Sequence, residues 1–359
     1  MLKFIVRKLF YGLLVLLGVV TTIFFIFNIL PGDPAQMMLG QQASKEAIDA
    51  IHRDLGTNRS LTEQYFNYLN DLSPLSVHNT QHSESFWYLN PRKYSWLPLF
   101  KLGASKAMVI KFPYLRRSYI SRREVSDILG ETLPETAVLA FAAILLASVV
   151  GIFLGVVTAV KKNSWIDRGI FVFATVFGMS APAFLVGLLV AWLFGYMLSS
   201  FTGLHPSGSL YELDVWEGQK LQLKNLILPA ITLGVRPLSI IIQLTRSSLL
   251  DVLSQDYIRT AKAKGLPFRT VVFKHALRNA LNPVVTAISG WFAGLMAGAV
   301  FVEKIFSWKG IGNEVVEALN NNDLPVVMGA TTVFAVIFVV INVVVDVLYG
   351  VLDPRVRIK

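Results

Sequence analysis

The 359-residue chain is 54% hydrophobic, with a mean hydropathy of +0.55, which exceeds what a soluble domain with a polar surface carries. Lys and Arg (33) outnumber Asp and Glu (23), but most of these basic residues lie between apolar runs, so the net charge of +10 indicates membrane orientation and not nucleic-acid binding. The absence of Cys excludes disulfides, thiolate metal sites and cysteine nucleophiles.

Six apolar runs are long enough to cross a bilayer, because a helix rises about 1.5 Å per residue and the hydrocarbon is about 30 Å thick. They cover residues 9–30, 136–160, 171–198, 226–245, 284–302 and 326–352. Ser180-Ala181-Pro182 interrupts the third run, which could be an interfacial helix followed by a span but is too short for two crossings. The runs predict an all-α polytopic membrane protein with about six transmembrane helices.

The first run follows Lys3, Arg7 and Lys8, a layout that it shares with secretory signal peptides. It is longer than the apolar core of such signals, about 7 to 15 residues, and it ends in Pro31-Gly32-Asp33-Pro34 without an A-x-A cleavage pattern. These features favour a retained membrane anchor.

The short polar segments indicate the orientation of the spans, because cytoplasmic loops are enriched in Lys and Arg. The amino terminus, residues 161–168, residues 251–280 and the end of the chain are all basic, and a six-span arrangement places them on one side. Both termini are therefore expected in the cytoplasm. The first connection, residues 31–135, becomes a long extracytoplasmic loop.

This long loop contains two helix-like stretches, residues 44–55 and 61–72, and an aromatic-rich segment at 74–111. The aromatic segment predicts a small external subdomain that touches the bilayer surface or a partner, with a self-packed cap as an equal alternative. The expected organisation is a cytoplasmic amino terminus with the first span (1–30), the extracytoplasmic loop (31–135) and a transmembrane core (136–359).

Motifs for chemistry are largely missing from the sequence. There is no Gly-Lys dipeptide, so the phosphate-binding loop G-x-x-x-x-G-K-[ST] is absent and the chain is not expected to hydrolyse ATP itself. His78 and His82 have a spacing that could ligate a metal on a helix, but their context reads as a loop and no third ligand is near. We expect no catalytic residues, no metal site and no cofactor bound by this chain.

Three ionisable residues lie within or at the edge of the apolar runs: Arg236, Glu303 and Asp346. Charges in such positions are costly and are functional candidates by default. Arg236 could line a translocation pathway and meet an anionic group such as a peptide carboxylate. Its alternative is a salt bridge to another helix or snorkelling to the interface. Structural roles are favoured for Glu303 and Asp346.

The basic segment 251–280 predicts two short helices. Residues 255–264 form the first, Gly265-Leu266-Pro267 ends it, and a second basic helix follows over residues 268–283. The simplest alternative is a solvated basic loop that only obeys the orientation bias.

This segment resembles the EAA loop of ABC importer permeases, and specifically the dipeptide, oligopeptide and nickel permease family. The resemblance rests on Arg259-Thr260-Ala261-Lys262-Ala263-Lys264-Gly265-Leu266 and on His275-Ala276-Leu277-Arg278-Asn279-Ala280-Leu281 with Pro283, and it extends to LPGDPA at 30–35, LPET at 133–136, MSAPAF at 179–184 and VDVLYGVLDPR at 345–355. Similarity is weakest over 74–111. The glutamate of the general EAA motif falls at Arg259 and its later proline at Arg278, which fits the peptide-permease version.

The resemblance implies a type I ABC importer permease fold in the bacterial cytoplasmic (inner) membrane, without enzymatic activity of its own. It also implies an ATPase contact at Tyr257, Ile258, Arg259, Thr260, Ala261, Lys262, Ala263, Lys264, Gly265 and Leu266. The implied partners are a second permease subunit that forms a heterodimer with this chain, two ATP-binding subunits that hold ATP and Mg, an extracytoplasmic solute-binding protein and membrane lipid. Peptides are the cargo that the resemblance implies, with nickel and glutathione left open.

Two other classes of function remain as alternatives. A secondary transporter or channel that works without an ATPase would carry several intramembrane acids for ion coupling, and the sequence has few. A membrane-embedded enzyme would need a catalytic constellation that the motifs do not provide.

Overall fold

The computed structural model describes residues 2–29, 35, 44–46, 48–49, 52, 56–81, 87–91, 93–102, 105–214 and 218–352. The chain is mostly helical, which confirms the expected class in its coarse form, but two small antiparallel sheets are also present, which the prediction of an all-α protein did not include. Alternating residues in LSVHN and KAMVIK, separated by turn formers, favour strands over helices in the region 74–111. The helix predicted at 44–55 and the LPGDPA segment lie largely outside the described residues.

The helices are numbered in chain order. They are α1 (Leu2–Ile29), α2 (Leu61–Leu72), α3 (Val125–Val160), α4 (Trp165–Phe173), α5 (Ala183–Val190), α6 (Ser199–Thr202), α7 (Ile227–Leu253), α8 (Asp256–Ala263), α9 (Phe268–Thr270), α10 (Leu277–Gly298), α11 (Val300–Phe306), α12 (Ile311–Asn320) and α13 (Leu324–Leu352). Wide π-helical turns follow α4, α5 and α9 at Ala174–Ser180, Ala191–Met197 and Val271–Ala276, and a 3-10 turn, Leu223–Leu226, precedes α7. The strands are β1 (Leu75–Asn79), β2 (Trp96–Leu102), β3 (Lys106–Lys111), β4 (Tyr211–Asp214) and β5 (Gly218–Leu221).

Four helical stretches in the described part of the chain are continuous, apolar and long enough to span a membrane. They are Val6–Phe27, Val125–Val160, Leu223–Leu253 and Leu324–Val347. The third and fifth predicted runs are instead bent pairs, Trp165–Ser180 with Ala183–Met197 at 114°, and Phe268–Met296 with Val300–Phe306 at 59°. Counting each pair as one span gives up to six.

The sharper bend has a local cause in the sequence. Pro182 disfavours the helical conformation at the preceding residue, and Ala181 is extended, with φ −75° and ψ 135°. The Ala181 amide donates to the Val176 carbonyl, which closes the wide turn, and α5 then begins at Ala183. The interruption expected at Ser180-Ala181-Pro182 is therefore present as a break between two helices.

The chain divides into two compact units. The core unit comprises residues 1–6, 132–316 and 337–359, and the amino-terminal unit comprises residues 7–131 and 317–336.

In the amino-terminal unit, α2 packs beside the carboxyl-terminal part of α1. Phe24 is fully buried, with its ring 5.7 Å from that of Tyr68, and the Thr21 and Tyr65 hydroxyls are 2.7 Å apart. Helix α2 has the bounds that the sequence predicts. A capping box fixes its start, because the Ser60 hydroxyl accepts from the Glu63 amide while the Glu63 carboxylate accepts from the Ser60 amide.

A three-stranded sheet, with strand order β1-β3-β2, follows α2 and encloses a buried polar cluster. The buried Asp71 carboxylate accepts a 2.6 Å hydrogen bond from the Tyr94 hydroxyl and pairs with Lys93 at 3.1 Å. The Lys111 ammonium lies 3.9 Å from the Tyr94 ring centroid, and burial lowers its pKa to about 8. His78 is buried in β1 and not in a loop; burial, reinforced by the Lys111 charge, lowers its pKa to about 4. His82 lies outside the described residues.

In the core unit, α3 and α7 approach closely at small residues. A methyl group at Gly155 would lie 2.5 Å from Thr245 Cβ, and one at Gly151 would lie 2.7 Å from Ile241 Cγ2. Two glycines four residues apart lie on one helix face, and in lipid such pairs let helix backbones pack at short range. The crossing of α3 and α7 thus depends on the absence of side chains at these positions.

This packing predicts that Gly155→Ala destabilises the protein by about 1 to 3 kcal/mol, because the added methyl group overpacks the interface with Thr245. The matched control is Gly130→Ala in the same helix, where a methyl group meets nothing within 4 Å. Thermal unfolding of the purified protein in detergent compares the two variants. Equal midpoints for both would contradict the close crossing.

Candidate functional site

The basic loop predicted at 251–280 contains helix α8, which ends in a well-formed cap. Gly265 has φ +76°, the left-handed conformation expected for it. The Gly265 amide donates to the Lys262 carbonyl at 2.9 Å and the Leu266 amide to the Ala261 carbonyl at 3.4 Å, the two hydrogen bonds of a Schellman motif. Nothing lies within 4 Å of a methyl group built at Gly265, so the constraint there is conformational and not steric.

Helix α8 has one buried and one exposed face. Ile258 and Ala261 are buried, with 0% and 8% exposure. The remaining residues of the predicted contact are exposed: Tyr257, Arg259, Thr260, Lys262, Ala263, Lys264, Gly265 and Leu266. The ten sequence-predicted residues are therefore divided between an internal anchor and an external, mainly basic surface.

The buried face of α8 packs into a cluster that joins several spans. Its members are Val156 and Ala159 of α3, Leu249 of α7, Ile258 and Ala261 of α8, Val271, Val272 and Ala276 of the π-helical turn, and Ala280 of α10. The Asn279 side-chain amide also donates to the Tyr257 hydroxyl at 2.9 Å. Helix α8 is thereby packed against the ends of three long helices.

The second basic helix is not a separate element. Residues 268–283 run through α9 and the π-helical turn directly into α10. The sequence predicts a separate basic helix over 268–283, because an apolar run begins at 284, but a change of polarity along a helix does not end it, and Pro283 lies inside α10.

An ion pair that the sequence analysis did not single out lies near this cluster. The Arg246 guanidinium of α7 donates to both carboxylate oxygens of Asp167 in α4, at 2.8 and 2.9 Å. Asp167 is buried and also accepts from the Asn163 amide at 2.9 Å. The sequence signal that could have indicated this pair is the position of both charges at the ends of apolar runs, because a buried charge there requires a partner.

Arg236 lies on a polar stripe of α7, in which Arg236 and Ser247 are exposed and Gln243 is half-buried. Arg236 is exposed, whereas its neighbours Val235 and Pro237 are buried. Among the described residues of α7, the cation that forms an ion pair is Arg246. Gln243 and Ser247, seven and eleven residues further on, fall within about 40° of one another and of Arg236 around the helix axis. The stripe extends over about 16 Å of a membrane-spanning helix.

Glu303 is fully buried and organises a turn. Its carboxylate accepts from the Thr136 hydroxyl at 2.7 Å and from the Asn313 amide at 3.0 Å, while the Thr136 hydroxyl accepts from the Ile311 amide at 2.9 Å. The start of α12 is thus held by side chains of α3 and α11, which fits a structural role. Asp346 is half-buried in α13.

Residues 151–358 match the family described as "Binding-protein-dependent transport system inner membrane component", and residues 1–83 match its amino-terminal companion family. A dipeptide transport system permease protein, DppB, from Alkalihalophilus pseudofirmus is 36% identical over 99% of this chain and 100% of its own length. A di/tripeptide transport system permease from Pseudomonas aeruginosa is 34% identical over 99% of each chain.

A glutathione transport system permease protein, GsiC, from Escherichia coli K12 is 33% identical over the full length of both chains. Among solved structures, the MetNI methionine ABC transporter gives a TM-score of 0.49 at 17% identity, covering 64% of this chain and 97% of that chain. An amino acid ABC transporter with histidines gives 0.46 at 12% identity, covering 64% and 94%.

The anchored helix predicts that Ile258→Ala destabilises the core unit by about 2 to 5 kcal/mol, because it leaves a cavity in a fully buried cluster. Lys262→Ala, on the exposed face of the same helix, is the matched control and should change stability by less than about 0.5 kcal/mol. Thermal unfolding midpoints in detergent provide the measurement. Comparable losses in both variants would show that α8 is not anchored through Ile258.

Proposed function

The chain belongs to the family of binding-protein-dependent transport system inner membrane components, and we propose that it is the permease subunit of an ATP-driven ABC importer that moves peptides. Support for the cargo comes from the relatives, which are named as permeases for dipeptides, di- and tripeptides, and glutathione, itself a peptide. The proposed complex adds a second permease subunit, two ATP-binding subunits and an extracytoplasmic solute-binding protein. It adopts the six-span type I importer fold in a bacterial inner membrane, with both termini in the cytoplasm.

The observation that carries this proposal is the two-faced helix α8. Its buried face joins α3, α7 and α10 through one apolar cluster, and its exposed face is basic. A partner ATPase that closes on binding ATP can push on the exposed face of Arg259, Lys262 and Lys264. Because packed clusters move as units, the push reaches the spans that the cluster joins. ATP and Mg belong to the partner subunits.

The pathway for cargo is proposed to pass the polar stripe of α7. Arg236, Gln243 and Ser247 present hydrogen-bonding groups along the helix, and charged groups at membrane depth normally face a water-filled cavity or a partner. A peptide carries a carboxylate, for which a guanidinium supplies a bidentate hydrogen-bonding partner. Arg236 is therefore proposed to meet the carboxylate of the cargo during transfer.

The proposed coupling predicts that Gly265→Val uncouples ATP hydrolysis from uptake. A β-branched residue resists the φ of +76°, since the left-handed conformation costs an L-residue about 1 to 2 kcal/mol, so the cap of α8 reorganises. The complex is purified through this chain, reconstituted in vesicles with the binding protein, and assayed for uptake of a labelled dipeptide. Wild-type chain should retain an ATPase subunit and accumulate peptide only with ATP.

Gly265→Asn is the matched control, because Asn tolerates the left-handed conformation; it should retain most of the uptake. Gly265→Val should retain the ATPase subunit and insert normally while uptake is lost. Ion-driven uptake by the chain without an ATPase would establish the secondary-transporter alternative and overturn the proposal. Normal uptake by Gly265→Val would overturn the role of α8 alone.

The proposed pathway predicts that Arg236→Ala lowers peptide uptake about tenfold or more, because a charge-assisted hydrogen bond to a carboxylate contributes about 1.5 to 3 kcal/mol. Arg236→Lys, which keeps the charge, should retain part of this activity. The matched control is Ile231→Ala, a half-buried position on the same helix. Initial uptake rates at equal amounts of membrane-inserted protein provide the test. Unchanged uptake by Arg236→Ala would exclude the carboxylate contact.

A further inference from the structure

One face of the three-stranded sheet is apolar and uncovered. The register pairs Leu75 with Ile110 and Ile110 with Leu97, which forms one row of apolar side chains across all three strands. Directly opposite residues of antiparallel strands share a face, so these three side chains lie together. Their exposed fractions are 51%, 45% and 72%.

A bulge extends this apolar face along β2. Leu97 and Pro98 pair with Ile110 and Val109, and then Phe100, not Leu99, pairs with Met108. The extra residue shifts the alternation of side chains between the two faces by one position. Phe100 and Leu102 therefore lie on the outer face with Leu97, and Lys101 lies on the opposite face. Phe100 and Leu102 are 55% and 45% exposed. A regular strand would have placed Lys101 on this face, opposite Lys106.

The opposite face of the sheet is occupied along β1 and β3. Ser76 and His78 of β1 and Ala107, Val109 and Lys111 of β3 alternate with the outer residues and are buried over the polar cluster around Asp71. The outer face is therefore not the core of the amino-terminal unit, and its apolar residues are not needed to close that core.

One charged residue of the three strands, Lys106, lies on the outer face, where it pairs with Leu102. The three strands contain Lys101, Lys106 and Lys111 and no Asp or Glu. Trp96 begins β2 with 36% exposure, and Trp side chains favour the membrane–water interface. An apolar face that carries Lys106, in strands without Asp or Glu, complements a leaflet that contains anionic phospholipids.

The sheet is also connected to the part of the unit that lies at membrane depth. The Tyr65 hydroxyl of α2 contacts Thr21, which is about 9 Å along the helix from the outer end of the apolar stretch Val6–Phe27. Strand β1 begins three residues after α2 ends, and the Lys111 amide donates to the Pro74 carbonyl. The sheet thus starts within about 10 Å of a helix that packs on the first span.

We propose that the outer face of this sheet, Leu75, Leu97, Phe100, Leu102 and Ile110, docks on the anionic phospholipid leaflet in which the carboxyl-terminal end of α1 lies. The apolar side chains enter the headgroup and upper acyl region, while Lys106, which lies on the same face opposite Leu102, contacts lipid phosphates. This contact anchors the amino-terminal unit to the membrane surface independently of the cargo that the protein moves.

The chain lacks Cys, so a single introduced cysteine carries a unique nitroxide label. Leu97→Cys and Phe100→Cys are labelled in the full-length chain, purified with the subunits that co-purify with it, and reconstituted in phosphatidylethanolamine/phosphatidylglycerol vesicles. Leu13→Cys on the exposed apolar surface of α1 is the lipid reference, and Ser121→Cys, in an exposed turn beside Arg122 and Arg123, is the water reference. Power-saturation EPR compares collision of each label with oxygen and with a water-soluble nickel chelate.

Both sheet labels should collide preferentially with oxygen, shifted from the Ser121 value toward the Leu13 value. Replacing phosphatidylglycerol with phosphatidylcholine should move them back toward the Ser121 value and leave Leu13 unchanged. Preferential collision with nickel would place the face in water and overturn the proposal. Shielding from both reagents would mean that a protein partner covers the face, which also overturns it. Insensitivity to phosphatidylglycerol would exclude the anionic contact.

Discussion

The close crossing of α3 and α7 is the constraint on which the core unit depends. Gly151 and Gly155 let the two backbones approach closely. Ile241 and Thr245 of α7 fill the space that side chains at positions 151 and 155 would otherwise occupy. In lipid there is little hydrophobic drive for helices to associate, and dispersion contacts at short range replace it. With that side of α7 against α3, its opposite surface carries the polar stripe of Arg236, Gln243 and Ser247.

Buried polar groups then fix the relative positions of helices, which close packing alone leaves variable. The pair of Arg246 with Asp167 joins α7 to α4 through two directional hydrogen bonds, and Glu303 organises the start of α12 through Thr136 and backbone amides. A buried ion pair adds little net stability, but loss of one partner leaves an uncompensated charge. Such groups therefore oppose alternative arrangements of the helices more than they strengthen the observed one.

Hydropathy located the six apolar runs, and the glycine after α8 indicated its left-handed end, because both signals are local in sequence. The sheet at 74–111 was not predicted, since its strands pair residues up to 35 positions apart and their aromatic content suggested only a surface. The division of α8 into buried and exposed faces, the merging of α9 with α10 and the pair of Asp167 with Arg246 depend on tertiary packing. The resemblance to peptide permeases indicated the loop, and the structure separates its anchor, Ile258 and Ala261, from its surface.

The break at Ala181 and Pro182 has a consequence for how the chain exists in a membrane. Hydrocarbon offers no hydrogen bonds to irregular backbone, so a break in the middle of an apolar run is tolerated only where protein or water shields it. Ser180 and Pro182 are exposed in the single chain, and Ala181 is only half-buried. The isolated subunit therefore leaves polar backbone groups at this break without shielding from lipid. Water or another protein must contact the break, and assembly with a partner subunit can supply that contact.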